Sequence, residues 1–160
     1  MTSSRFTVSA LLEPASDFSS TRWPLHLTVV GNFVLEGSTY DVRDFLVDVT
    51  ASHPPLTLLG GRDDWLPGDQ WVTRIEPNVA LTELHQELRQ GLLLLGARFE
   101  ASGVMQHFAP HVAVQKTSRL RRGDTVMVGE LALIDRAPGG DPTSHEIIAR
   151  GKLQDLAALR

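Results

Sequence analysis

The chain contains no cysteine. A disulfide scaffold, a thiolate metal site and a cysteine nucleophile are therefore excluded. Lysine is also scarce: Lys116 and Lys152 stand against 13 arginines, and 15 basic against 19 acidic residues leave a formal net charge of -4. That balance supplies no broad basic field. It argues against avid nonspecific binding to duplex nucleic acid and leaves room for a local phosphate site at a nucleotide or an RNA end. Long apolar runs are missing too. The longest span four residues, as at Leu92 to Leu95, far below a membrane-spanning length. The first residues carry one Arg and a broken apolar stretch, which is not the pattern of a signal peptide. The expectation is a cytoplasmic protein with no membrane partner.

What is present is ordinary globular composition. Hydrophobic residues make up 42% and charged residues 21% of 160 residues, enough apolar surface for one packed domain spanning 1–160. Six histidines are the side chains that titrate near neutral pH unperturbed. The functional question is which of them matter.

Phe6, Val8, Ala10 and Leu12 alternate with more polar neighbours and predict a strand ended by Pro14. A polar loop over 15–21 leads to a second strand over 23–31. Ser38 can cap a helix carrying Val42, Phe45, Leu46 and Val49 on one face, stopped by Pro54-Pro55. A short strand over 56–59, a turn at Leu66-Pro-Gly-Asp69 and a strand over 70–75 follow. Leu81, Leu84, Leu88, Leu92 and Leu95 mark a helix over 78–95, with Gly96 as its left-handed cap. Strands are expected over 108–116, 126–134 and 145–153, with a helical turn over 118–122. Helices thus alternate with pairs of strands. That order predicts an α+β fold with antiparallel sheets, and the two halves resemble each other in outline, each with a histidine-bearing strand.

Those two strands share a chemistry. In Leu25-His26-Leu27-Thr28-Val29 the leucines and valine face the core, so His26 and Thr28 share the other face, roughly 7 Å apart. Pro110-His111-Val112-Ala113-Val114 repeats the arrangement. If the halves pack against each other, the histidines meet across a cleft. One neutral imidazole can then accept a proton while a protonated one donates to a leaving group. A hydroxyl such as that of Thr28 can donate to a phosphate oxygen as charge develops. No spacing among the histidines suits a metal, and none is expected.

The segments "LHLTVVGNF" and "FAPHVAVQK" resemble the paired His-x-Thr/Ser signatures of the 2H phosphoesterases. The likeness is to the branch of 2′-5′ RNA ligases and RNA 2′,3′-cyclic phosphodiesterases, in which the second copy sits in a Phe-x-Pro-His context like Phe108-Ala109-Pro110-His111. The resemblance implies two pseudo-symmetric lobes of antiparallel sheet, helices on their outer faces and a central cleft. It implies an acid-base pair of His26 and His111, a phosphate contact from Thr28, no cofactor, and an RNA end or cyclic nucleotide as substrate for a monomeric enzyme. Hydrolysis that leaves a 2′-phosphate would make His26 the acid and His111 the base.

Ala113 departs from that pattern, because alanine has no hydroxyl where the family carries Thr or Ser. The alternative reading is a noncatalytic or weakly active RNA- or nucleotide-binding module. Gln115 shares the parity of His111 and is a candidate phosphate contact, whereas Lys116 points the other way in a regular strand. Arg119, Arg121 and Arg122 are candidates for steering RNA, and Trp65, in a Gly/Asp/Pro-rich loop, for stacking a base. His53, His85, His107 and His145 read as loop, helix-surface or strand-edge residues.

Overall fold

Every strand pairing among the described residues is antiparallel, as the alternation of strand pairs and helices predicts. The computed structural model describes residues 4–19, 22–36, 39–100, 108–116 and 118–154. In chain order these hold β1 (Ser4–Leu11), β2 (Phe18–Ser19), β3 (His26–Leu35), α1 (Tyr40–Ala51), β4 (Leu56–Leu66), β5 (Gln70–Ile75), α2 (Val79–Leu94), β6 (Arg98–Phe99), β7 (His111–Ala113), β8 (Thr125–Val128), β9 (Glu130–Asp135) and β10 (Ser144–Lys152). The strands form one curled sheet in the order β2-β10-β9-β1-β3-β7-β5-β4-β8, with β6 on the far end of β3.

One face of the sheet carries the core. Phe6, Val8 and Ala10 of β1 lie beside Leu27, Val29 and Phe33 of β3, Leu131 and Leu133 of β9, and Val112 of β7, all buried. The apolar stripes of α1 (Val42, Leu46, Val49) and α2 (Leu81, Leu84, Leu88, Leu92) cover them. The start of α2 is capped by Asn78, whose Oδ1 accepts the Leu81 N–H at 2.9 Å; Gly96, at φ +92°, ends it as expected. Ser38, the expected cap of α1, lies outside the described residues. The two helices touch closely because Gly91 leaves room for the Phe45 ring, which a Cβ at that position would strike.

The structure corrects several boundaries. β4 does not stop at Leu59 but runs through Gly60-Gly61 to Leu66. Gly60 exchanges backbone bonds with Asp124 and Gly123, and the Arg121 carbonyl sits where its Cβ would be, so the loop presses onto the strand through a glycine. The strand expected over 108–116 pairs over His111–Ala113 alone. The run over 126–134 is two strands: it breaks at Gly129, where the chain passes from β8, paired with β4, to β9, paired with β1 and β10. Residues 118–122 form no helical turn; the described part is irregular and tied down by the Leu120 carbonyl, which accepts from the buried Thr73 hydroxyl at 2.6 Å. The loop over 15–21 contains β2, and β6 is a further strand beyond those expected. Two-residue strands carry no readable periodicity.

Candidate active site

The two histidine strands are neighbours in the sheet. Leu27 of β3 pairs with Val112 of β7, both on the core face. In an antiparallel pair a step forward on one strand is a step back on the other. His26 therefore stands beside Ala113, and Thr28 beside His111, all four on the concave face and half-buried. The two histidines are diagonal neighbours, a relation that sets Cα atoms about 7–8 Å apart. The arrangement is a local two-fold about the Leu27–Val112 pair. Ala113 departs from it, lacking the hydroxyl that Thr28 carries beside His111.

The same symmetry holds the rings. His26 Nδ1 lies 2.8 Å from the Pro24 carbonyl, and His111 Nδ1 lies 3.0 Å from the Ala109 carbonyl. Each partner is the carbonyl two residues back. A carbonyl only accepts, so each Nδ1 donates and each Nε2 is the nitrogen left to act on a ligand. This bracing is the element that sequence reasoning missed; for His111 its signal was Pro110, which holds the preceding Ala109 extended.

Around this pair the pairings lay a row across the concave face: Ala132, Ser9, Thr28, His111 and Arg74, from β9 through β1, β3 and β7 to β5. Arg74 is braced by Asp64, with Nε and one terminal nitrogen each 2.9 Å from Oδ2. That bond holds the Asp64 carboxyl below the usual carboxylate range. Leu11, paired with His26, borders a cavity of about 350 Å³ shared with Glu13, Ala132 and Arg150. Trp23 stacks on His26 with ring centres 4.4 Å apart and meets His145 edge-on at 4.6 Å.

Burial holds His26 below the ordinary histidine range, against the Pro24 carbonyl bond that raises it; the charges of His111, Arg136 and His145 lower it further. Burial also lowers His85, which donates from Nδ1 to the Val29 carbonyl at 2.6 Å and stacks on Phe108 at 3.9 Å, and it lowers His145. In all three the fold favours the neutral ring. Below about pH 6.5 the unfolded chain binds protons that the native state resists, so stability rises with pH through that window. The expected outcome is a Tm lower at pH 5 than at pH 7.5; a Tm that rises on acidification would show that these environments do not exist. Depressed carboxylates such as Asp64 and Asp141 act at lower pH and do not enter that comparison.

Of the other expected site residues, Trp65 and the arginines of 119–122 lie away from the histidines. Gln115 lies past the end of β7, where its N–H donates to the Ser118 carbonyl at 2.9 Å, so strand parity no longer decides where it points. Trp65 stacks on Trp71 at 5.7 Å. The pairing of Trp65 with Trp71, two residues from Thr73, puts both rings on the sheet face opposite His111. Arg119 lies 4.6 Å over Trp71 and binds Asp63 at 2.6 Å. With Arg62, Arg121 and Arg122 these two border a separate cavity of about 370 Å³. His53 binds Glu87 at 2.6 Å; His107 lies outside the described residues. Among the described residues no three His, Asp or Glu gather as a metal-holding group, and no helix is long and apolar enough to cross a membrane.

The curled antiparallel sheet with two helices is the 2H phosphoesterase-like fold. At the level of sequence no family model matches the chain, nor does any curated protein. Among solved structures the fold is similar to that of a phosphoesterase, with TM-score 0.62 and 14% identity over 96% of this chain and 100% of that one. It is similar to E. coli LigT complexed with 3′-AMP, with TM-score 0.61 and 15% identity over 96% of this chain and 100% of that one. TT0787 of Thermus thermophilus aligns with TM-score 0.61 and 18% identity over 95% of this chain and 99% of its own.

Proposed function

We propose that the protein is a phosphoesterase that opens the 2′,3′-cyclic phosphate of a nucleotide or an RNA end by two-histidine acid-base catalysis. The observation that carries this reading is the antiparallel pairing that sets His26 and His111 diagonally on one face, each ring braced through Nδ1 by the carbonyl two residues back. The similarity in fold to LigT structures complexed with 3′-AMP, ATP and phosphate supports it.

The step needs two rings in opposite protonation states. A neutral imidazole takes a proton from water through Nε2, and the water oxygen attacks phosphorus. The bond from phosphorus to one ribose oxygen breaks, and the protonated imidazole donates to that oxygen. Thr28, beside His111, donates to a nonbridging oxygen as its charge grows. Before substrate binds, the surroundings of His26 favour its neutral form, the form that accepts. The resemblance at the level of sequence implies the reverse order, with His26 as acid; the phosphate's own negative charge acts on both rings once bound. With a ribose 5′-hydroxyl in the place of water, the same ring opening joins RNA ends: its oxygen bonds to phosphorus, the bond to the 3′ oxygen breaks and takes the proton, and a 2′-5′ linkage results.

The test is turnover of 2′,3′-cyclic nucleotides in EDTA, with the phosphate position of the product determined. The expected result is a monophosphate formed at a rate that chelation does not change. Tight binding of the cyclic phosphate without turnover would instead favour the noncatalytic module, the reading that Ala113 supports. Neither binding nor turnover would overturn both.

A further inference from the structure

The concave face carries polar groups that the two-histidine chemistry does not use. Arg136 follows β9 and folds its side chain back over the sheet. One terminal nitrogen donates to the Asn32 side-chain carbonyl, and the guanidinium carbon lies 5.7 Å from the Trp23 ring centre. The residue is half-buried and forms no ion pair among the described residues. Its Nε is enclosed and has no hydrogen-bond partner. The carboxylate that acts on it from a distance is Glu100, which is bound to Arg5 at 3.2 Å.

Two neighbours share that lack. Glu146 pairs with Asp135, so one step along the ladder sets His145 beside Arg136. His145 is 3% exposed, and neither of its ring nitrogens has a partner. Thr7, 4% exposed, pairs with Ile134 on the same face, and its hydroxyl is unpaired. All three can donate a hydrogen bond, one carries a permanent positive charge, and none of these atoms has an acceptor. Buried donors without acceptors are costly and rare in native proteins. A half-buried cation without an anion is costlier still. A phosphate, with negative charge and several acceptor oxygens, answers both needs at once. The Trp23 ring contacts both this cluster and His26, so the two positions are close neighbours on one face.

We propose that Arg136, with His145 and Thr7, forms a second anion subsite that holds a phosphate of the substrate other than the one attacked between His26 and His111. The inference rests on the phosphoesterase reading and narrows its substrate class. The preferred substrate carries at least two phosphates, as a 5′-phosphorylated cyclic nucleotide or an RNA end does.

Two ratios test it on the full chain. One is kcat/KM for adenosine 2′,3′-cyclic phosphate with and without a 5′-phosphate. The other is the calorimetric affinity for adenosine 3′,5′-bisphosphate against adenosine 3′-monophosphate, which needs no turnover. Both ratios are expected at about ten- to a hundredfold in the wild type, the range of a charge-assisted hydrogen bond. Arg136→Gln should bring them near one, and Arg136→Lys should restore part. A wild-type binding ratio near one overturns the inference whether or not the protein is active. A large binding ratio with no turnover of either cyclic nucleotide overturns the phosphoesterase reading and leaves the subsite standing. A ratio unchanged by Arg136→Gln, with circular dichroism matching the wild type, removes Arg136 from it.

Discussion

Replacing His26 or His111 with alanine is expected to lower kcat for a 2′,3′-cyclic nucleotide by about 10²–10⁴-fold, the contribution of a positioned acid or base. The two rings work in one proton exchange. Losing either leaves the other with no complementary state, so the double variant should lose little more than each single one. Ala113→Thr restores the hydroxyl beside His26 and is expected to keep or raise the rate. Steady-state kinetics with product analysis checks the set, and circular dichroism guards against a trivial loss, since His26 also packs on Trp23. Equal turnover by the wild type and the double variant would end the two-histidine mechanism. A steep loss in a well-folded Ala113→Thr variant would show that the position beside His26 does not face the phosphate.

The second large effect is on stability. Leu27 is fully buried, and its pairing with Val112 is the ladder contact that joins β3 to β7. Leu27→Ala removes a buried side chain at that junction and should destabilise the fold by about 2–5 kcal/mol. For a chain of this length that corresponds to a Tm lower by roughly 4–20 °C. Met127, 68% exposed on β8, is the control: Met127→Ala should stay within about 0.5 kcal/mol. Denaturant unfolding measures both. A Leu27→Ala variant as stable as the control would mean that the core does not run continuously beneath the two histidines.

Much of this is legible in the sequence. The alternation in Leu25-His26-Leu27-Thr28 places His26 and Thr28 on one face and Leu27 in the core, and the leucine spacing of α2 with Asn78 and Gly96 marks that helix closely. Local periodicity reports such features because they depend on which side of a strand or helix is buried. The pairing of β3 with β7 depends on register between distant segments, and nothing within either strand encodes it. The same holds for Arg74, which reaches the face of His111 only through the β5–β7 register. His145 reads as an edge residue because its burial comes from Phe18 and Trp23, distant in sequence. The expected roles of Gln115 and Trp65 assume that strands continue and that turns are open. The end of β7 at Ala113 and the long β4–β5 hairpin change both.

The junction of β3 and β7 also says something about how the protein comes into being. His26 and His111 are separated by more than half the chain, and the strands that flank them close through still longer connections, with β9 and β10 returning from late in the sequence to β1. Contacts of high sequence separation bear their loop-closure entropy before they return any stabilisation, which slows folding. The proposed catalytic pair is thus the product of a late, non-local closure. A nascent chain that ends before β7 carries the residues of both helices but not His111, so the pair waits for the second half of the chain.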